Sequence, residues 1–155
     1  PQQTVGGTRL SEYYLSNLLG NPFDTAIAAS HLILGGVLDR HPQLHFSLPH
    51  AGGALPILVG RLDAGWTSRP ETRRLAEKPS SYLTRFSYDT VSHSVPVLNF
   101  LIANVGIDYL VLGSDYCFDM GNEQPVRFIE NAGLGSREKA AVLGGNAARI
   151  LRLPG

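Results

Sequence analysis

The sequence predicts an α/β fold of parallel strand–helix repeats. Three short apolar runs, at residues 44–48, 85–89 and 109–113, have the composition of strands, and a segment with helical spacing follows each one. The connections are long enough for a crossover helix, so the strands should be parallel. Three parallel strands cannot close a barrel. They can form a small open sheet or the later part of a (β/α)8 barrel, which needs about 250 residues. We expect residues 1–155 to be a single-domain fragment of such a barrel.

Two helices are predicted ahead of the first strand. Apolar residues at helical spacing predict the first over 8–19, and the sequence Gly-Asn-Pro at 20–22 should end it. Asp24 or Thr25 can cap the second helix. That helix should continue to about residue 40, just before the first strand.

The remaining helices are predicted after the strands. Apolar periodicity places them at 52–66, 95–105 and 126–131, and Ser136 should cap a last helical region near the carboxyl terminus. The polar and charged residues 67–79 should form a connection. No repeat of fixed period or low-complexity tract interrupts this pattern.

Composition excludes several classes of function. The 13 basic and 13 acidic residues give a net charge of zero, so we expect no nucleic-acid partner. The apolar stretches are shorter than the roughly 20 residues that span a bilayer, so we expect no membrane partner. A single cysteine, Cys117, excludes an internal disulfide framework and indicates a reducing, cytoplasmic location.

Two predicted strands run into residues that bind protons or metals. His50 follows the first strand and precedes two glycines, and Asp115 follows the third strand. Active-site residues of strand–helix repeats usually lie at the carboxyl ends of the parallel strands, so these two residues could share one site. An imidazole can move protons or bind a metal, and a carboxylate can ligate a cation or act as a base. The structural alternatives are a histidine that caps the following helix or hydrogen-bonds within a polar pocket, and an aspartate that caps a helix or a turn.

Three other residues are weaker candidates. His93 could reach the same edge of the sheet, but a histidine on a surface loop is the simpler interpretation. Arg69 lies in the polar connection and could bind a carboxylate with two hydrogen bonds, although most loop arginines are only solvated. Cys117 is expected to be a buried structural thiol, because no basic neighbour in the sequence would activate it.

Five motifs taken in order resemble the amidohydrolase-related metal-dependent decarboxylases. This family includes the aminocarboxymuconate semialdehyde, resorcylate and carboxyvanillate decarboxylases. The motifs are Gly-Gly-Val-Leu-Asp-Arg-His-Pro, the run into His-Ala-Gly-Gly, Gly-Arg-Leu-Asp with a following tryptophan, Leu-Gly-Ser-Asp-Tyr-Cys-Phe, and Gly-Asn-Ala-Ala-Arg-Ile-Leu. They lie at residues 35–42, 44–53, 60–66, 112–118 and 145–151.

The resemblance implies a distorted (β/α)8 barrel with one divalent metal, usually zinc and sometimes manganese. Asp115 matches the aspartate that ligates the metal after the last strand. His50 matches the histidine that hydrogen-bonds the metal-bound water and acts in proton transfer. Arg69 lies near the place of an arginine that, in some members, reaches the substrate carboxylate of a neighbouring subunit. The resemblance therefore implies a homo-oligomer, a dimer or larger.

The resemblance also shows departures. The His-x-His pair of metal ligands on the family's first strand has no match, and a further histidine ligand of the family would precede Pro1. The chain therefore resembles the carboxyl-terminal half of the enzyme. Cys117 stands where many members have proline.

The expected function is decarboxylation of a small carboxylate-bearing substrate, aromatic or muconate-like. A metal-dependent lactone or amide hydrolase of the same superfamily is an alternative. An inactive half-barrel that acts only as a binding or interaction module is another. A flavodoxin-like binding domain is a weaker alternative, because no clear phosphate-binding loop is present.

Overall fold

Strands and helices alternate along the chain, which the computed structural model describes over residues 4–72 and 75–153. The chain divides into two compact units. The first unit comprises Pro1–Leu48 and Gly52–Phe86, and the second comprises Pro49–Ala51 and Ser87–Gly155.

The first unit is mainly helical and contains the first strand. Its helices are α1 (Asn21–Leu34), α2 (Val37–Arg40) and α3 (Leu55–Ser68), and its strand is β1 (Phe46–Leu48). Short 3-10 segments and one π-helical turn accompany them, at Gly7–Leu10, Ser16–Gly20, Pro70–Thr72 and Pro79–Arg85.

The core of the first unit lies between α1 and α3. Buried side chains of the two helices and of the segments around them form it: Ala26, Ala29, Ile33, Leu38, Leu48, Leu55, Val59, Leu75, Tyr82, Leu83 and Phe86. The entry to α3 lies directly on the start of α1, because the Ala54 N–H donates to the Pro22 carbonyl at 3.1 Å. Gly53 has φ +60°, and a Cβ there would lie 2.1 Å from the Pro22 oxygen, so only glycine fits.

Arg85 fixes the segment that leads into β1. Its guanidinium donates to the carbonyl oxygens of Leu38 at 3.3 Å, Pro42 at 2.8 Å and Leu44 at 3.1 Å. A rigid fork of donors suits three converging carbonyls. The start of β1 is therefore held by side-chain hydrogen bonds in addition to its strand pairing.

The second unit carries the paired strands and the later helices. Its elements are β2 (Phe86–Asp89, with Phe86 counted in the first unit), α4 (Val95–Val105), β3 (Leu110–Val111), α5 (Pro125–Glu130), α6 (Ser136–Ala140) and α7 (Asn146–Leu151). Short 3-10 and π-helical turns occur at His50–Gly52 (with Gly52 counted in the first unit), Ile107–Tyr109 and Ala141–Gly145.

The strands form one sheet in the order β1-β2-β3. β2 and β3 are parallel, with Tyr88 opposite Leu110 and Asp89 opposite Val111. The register places Asp89 at the carboxyl end of β2, at the edge where site residues are expected.

Asn146 anchors β3 from the helical side. Its buried side-chain amide donates to the carbonyls of Ile107 at 2.8 Å and Leu110 at 2.7 Å. The Leu112 N–H in turn donates to the Val142 carbonyl at 3.1 Å. These bonds satisfy backbone groups of a very short strand, which explains how two residues suffice there.

Most of the predicted elements are present, with shifted ends. The helix predicted at 95–105 is α4 with the same bounds, and the predicted strands are present as β1, β2 and β3. The third strand is shorter than predicted, because a 3-10 turn precedes it and an irregular segment follows. Ser136 begins α6 but does not cap it. The cap is Gly135, whose N–H donates to the Glu138 carboxylate at 2.8 Å.

The predictions ahead of the first strand were partly wrong. The helix predicted over 8–19 is interrupted, since Tyr13 and Tyr14 have φ of 56° and 59°. Residues 20–22 do not end a helix; α1 begins there, because proline is tolerated in a first helical turn. Asp24 therefore lies inside α1, where its carboxylate accepts the Val5 N–H at 3.0 Å.

Within the described residues, no helix combines the length and apolar character needed to cross a membrane.

Candidate active site

His50 lies just beyond β1 in a loop with an unusual backbone. His50 and Ala51 have φ of 55° and 54°, in the left-handed region, and Gly52 continues it with φ 82°. Residues with a Cβ adopt this region at a cost, so it persists only where the surroundings hold it. The His50 N–H donates to Asp89 Oδ2 at 3.0 Å, and the Ala51 N–H donates to Asp89 Oδ1 at 2.7 Å.

Asp89 is the site residue that the sequence analysis missed. Its Oδ1 also accepts the Val91 N–H at 3.0 Å, so one carboxylate accepts three backbone amides. The sequence showed Asp89 only as the end of a predicted strand. An acid at the end of an apolar strand is the same signal that singled out Asp115, and it could have identified Asp89.

The His50 imidazole retains an unused ring nitrogen. The residue is half-buried, and its Nδ1 is inaccessible to solvent and has no hydrogen-bond partner among the described residues. Buried polar atoms are nearly always paired, so an unpaired one points to a ligand or a chemical role. The described residues therefore do not commit this nitrogen to the fold through a hydrogen bond.

Asp115 lies beyond β3 in a loop of its own. It has φ 57°, and its carbonyl accepts the Phe118 N–H at 3.0 Å. No described residue donates a hydrogen bond to its half-buried carboxylate or forms an ion pair with it. A carboxylate without a partner among the described residues is available to ligate a cation.

Gly113, which follows β3, packs against the residues at the end of β2. Its N–H donates to Thr90 Oγ1 at 3.1 Å, and a Cβ at this position would lie 2.7 Å from the Asp89 Cβ. Asp89 thus contacts the backbone that leads to Asp115 while it binds the amide of His50. His50 and Asp115 are brought to the same end of β2, and no hydrogen bond joins their side chains in the described part of the chain.

The loop after Asp115 lines an open cavity of about 440 Å³, between Ser114 and Pro125. Tyr116 and Phe118, which line it, are 90% and 68% exposed. Cys117 lines it too and is exposed, so the prediction of a buried thiol was wrong. The whole stretch 116–120 is exposed, which leaves no core for the thiol to enter.

The side chains of the two other candidates, His93 and Arg69, are both exposed. His93 is exposed on the loop after β2, as predicted for a surface histidine. Arg69 belongs to the first unit, where it follows α3, and its N–H donates to the Gly65 carbonyl at 2.7 Å. Its exposed side chain has no hydrogen bond or ion pair with a described residue. Its role toward a substrate stays a prediction.

The donors present fit part of a metal site. Over residues 4–72 and 75–153, no group of three or more His, Cys, Asp or Glu side chains could hold a metal ion. Zinc typically takes three or four protein ligands. The carboxylate of Asp115 fits one such position, and a set of three or four ligands would need at least one from outside the described residues.

Comparison with known proteins identifies relatives along nearly the whole chain. The profile of the amidohydrolase family matches residues 7–153. A 2-amino-3-carboxymuconate-6-semialdehyde decarboxylase from Dictyostelium discoideum is 34% identical over 156 residues, which cover 99% of this chain and 44% of that protein.

Solved structures of decarboxylases also match most of this chain. A 5-carboxyvanillate decarboxylase from Sphingomonas paucimobilis matches with a TM-score of 0.83 and 34% identity, covering 94% of this chain and 45% of that one. A dihydroxybenzoic acid decarboxylase from Polaromonas sp. JS666 contains bound manganese and the inhibitor 2-nitroresorcinol. It is 22% identical, with a TM-score of 0.78, and the match covers 88% of this chain and 42% of that one.

The chain therefore spans about half the length of the relatives it matches. The predicted fold class is confirmed: the parallel strand–helix repeats form part of a (β/α)8 barrel.

Proposed function

Because the chain belongs to the amidohydrolase family, we propose that the protein is a metal-dependent decarboxylase. It would cleave a carbon–carbon bond to a carboxylate on a small aromatic or muconate-like substrate. The 34% identity to a carboxymuconate-semialdehyde decarboxylase across 99% of the chain supports this reaction class.

The state of His50 carries the proposal. Its backbone is fixed by the Asp89 carboxylate, while its Nδ1 is buried and unpaired among the described residues. A histidine that serves only the fold would use its ring nitrogens in hydrogen bonds. A histidine whose backbone is fixed, and whose ring is not tied to the described residues through Nδ1, is suited to proton transfer.

Decarboxylation needs such a residue. When the carboxylate leaves as carbon dioxide, the electron pair of the broken bond stays on carbon, and that carbon must take up a proton. We assign this proton transfer to the His50 imidazole, because imidazole changes its charge near neutral pH.

Asp115 would hold the divalent metal through its carboxylate, together with ligands from outside the described residues. Such a metal supplies positive charge that polarises substrate oxygens. Zinc is our expectation and manganese the alternative, because carboxylates suit both ions. Asp115 is then needed for the metal, whereas His50 is needed for the proton.

Arg69 would bind the carboxylate of the substrate. Its side chain is exposed and without a described partner, and an arginine binds a carboxylate with two parallel hydrogen bonds. We further propose that the protein is a homo-oligomer in which this arginine serves a neighbouring subunit. The single cysteine supports a cytoplasmic location.

A metal-dependent hydrolase is the second candidate, since the matching family profile is that of amidohydrolases. A carboxylate-held metal and a proton-moving histidine serve hydrolysis equally well. The two candidates differ in the bond that breaks, so the products distinguish them.

The test is product analysis with the full-length, metal-loaded protein. It would be incubated separately with 2-amino-3-carboxymuconate semialdehyde, 2,6-dihydroxybenzoate, 5-carboxyvanillate and a small aromatic lactone, with His50→Ala as the control. We expect carbon dioxide from one of the carboxylates and none with the variant. Opening of the lactone without carbon dioxide from any carboxylate would favour the hydrolase and contradict the proposal.

A further inference from the structure

The Asp89 carboxylate ties two segments of the second unit together. Its Oδ2 accepts the His50 N–H at 3.0 Å, and its Oδ1 accepts the N–H groups of Ala51 at 2.7 Å and Val91 at 3.0 Å. An ionised carboxylate only accepts hydrogen bonds, and both of its oxygens are used here. The side chain therefore joins the end of β2 to the loop that carries His50.

That loop depends on outside support. His50 and Ala51 both have left-handed φ, 55° and 54°, which residues with a Cβ rarely adopt in succession. The ring gives no support through Nδ1, which has no partner in the described part of the chain. Without the Asp89 bonds, the His50 backbone would relax toward commoner conformations, and the imidazole would change direction with it.

Asp89 is itself confined. Gly113 lies so close that a Cβ there would be 2.7 Å from the Asp89 Cβ and 3.3 Å from its Cγ. Strand pairing places Asp89 opposite Val111. The carboxylate is thus a fixed point from which the loop can be oriented.

We infer that Asp89 is a positioning residue, which sets the direction of the His50 imidazole through hydrogen bonds to the backbone of His50 and Ala51. The inference rests on the proposed function, in which His50 transfers the proton. It adds a residue that does not touch the substrate and acts only through His50.

Asp89→Asn is the discriminating substitution, because the amide has nearly the same shape but only one acceptor. Its oxygen can still serve Ala51 and Val91, whereas its NH2 group faces the His50 N–H, donor against donor. The full-length, metal-loaded protein would be assayed with the substrate found in the product analysis. We expect kcat per bound metal to fall about 10- to 100-fold, because proton transfer depends on geometry. KM should stay within about twofold, and metal content should not change, because neither depends on the imidazole direction in this account.

Glu138→Gln is the matched control. Glu138 is another carboxylate of the second unit that accepts a backbone amide, that of Gly135 at 2.8 Å, at the start of α6. We expect it to leave kcat and KM as in the wild type. A merely structural role of Asp89 would instead lower the folded and metal-loaded fraction, without a separate loss of kcat per metal.

Two results would overturn the inference: kcat per metal of Asp89→Asn within twofold of the wild type, or equal losses in Asp89→Asn and Glu138→Gln. If Asp89→Asn does not fold, Asp89→Glu takes its place. That variant keeps the charge but moves the carboxylate outward by one methylene, so kcat per metal should still fall at unchanged KM, and wild-type kcat would again overturn the inference.

An activity-independent measurement separates this inference from the proposed function. If the wild type decarboxylates nothing, the proposed function fails, and amide hydrogen exchange then tests the positioning alone. Asp89→Asn should speed exchange of the His50 amide at least about tenfold and leave the Val91 amide nearly unchanged. Equal exchange rates for the His50 amide in variant and wild type would contradict the positioning role.

Discussion

The loops that carry His50 and Asp115 both follow strands, yet the chain holds them differently. At His50 the backbone is fixed, since two successive amides donate to the Asp89 carboxylate. At Asp115 the carboxylate receives no hydrogen bond from a described residue, and the neighbouring Tyr116 is 90% exposed. One loop is positioned by the protein itself, and the other presents an unengaged charge.

This difference fits two different chemical tasks. A group that moves a proton must be held in one direction before the substrate arrives, because small errors of geometry cost rate. A metal ligand can be held by the metal, since coordination supplies the missing interactions. We therefore propose proton transfer for His50 and metal binding for Asp115.

The largest effect is expected at the unengaged carboxylate. Asp115→Ala should lower kcat by on the order of a thousandfold or more, because the metal ion that we propose it ligates would be worth several kcal/mol to the reaction. Steady-state assays of the full-length protein measure it. Activity within tenfold of the wild type would show that Asp115 ligates nothing of importance.

His50→Ala should have the next largest effect. Loss of a positioned acid or base typically costs about 10²- to 10⁴-fold in kcat, and KM should change little because the residue does not bind the substrate carboxylate. His93→Ala, at an exposed histidine, is the control and should stay near wild type. If kcat falls equally in His50→Ala and His93→Ala, the proton-transfer role proposed for His50 alone is contradicted.

Gly113→Ala tests how tightly the fixed loop is built. The new Cβ would lie 2.7 Å from the Asp89 Cβ, and overpacking of this kind costs about 1–3 kcal/mol. Gly144→Ala is the control, because no atom lies within 4 Å of a Cβ there. Urea unfolding of both variants measures the difference, and equal stabilities would contradict the close packing around Asp89.

The smallest expected effect is on the pH dependence of stability, and it comes from Tyr88 on β2, the strand that carries Asp89. Burial raises the pKa of the Tyr88 hydroxyl on β2. The folded protein therefore keeps this proton more tightly than the unfolded chain, whose tyrosines titrate near pH 10. The resulting stability is complete below about pH 10 and is lost as the pH rises above it, by at most about 1.4 kcal/mol per pH unit.

Tyr88→Phe should remove that loss. The measurement is the free energy of unfolding at pH 9, 10 and 11 for the wild type, Tyr88→Phe and the exposed control Tyr116→Phe. A flatter pH dependence is expected for Tyr88→Phe alone. Identical slopes for all three proteins would show that the Tyr88 hydroxyl does not become more acidic on unfolding.

Elements with a clear local pattern of apolar residues were predicted from the sequence. The apolar run at 95–105 became α4 with the predicted bounds, and each predicted strand is present. The stop predicted at 20–22 failed, since the effect of proline depends on whether it begins or interrupts a helix. At this helix start the Pro22 carbonyl accepts the Ala54 N–H, a tertiary contact that no local pattern reveals.

The site was predictable only where residue type and strand position coincide. His50 and Asp115 could be named because each follows an apolar run. Asp89 has the same position and could have been named by the same signal, but its role could not, because that role depends on amides 38 and 39 residues earlier in the chain. The burial predicted for Cys117 was wrong. Its hydrophobic neighbours Tyr116 and Phe118 are exposed, and so is the thiol between them.

Metal content tests the division of roles most directly. Full-length wild type, Asp115→Ala and His50→Ala would be loaded with zinc or manganese, freed of loose ions and analysed for metal per polypeptide. We expect the metal of Asp115→Ala to be lost and that of His50→Ala to stay near the wild-type value, since a residue beside the ligands affects affinity far less than a ligand does. Equal loss of metal in both variants would make His50 a ligand and contradict the account.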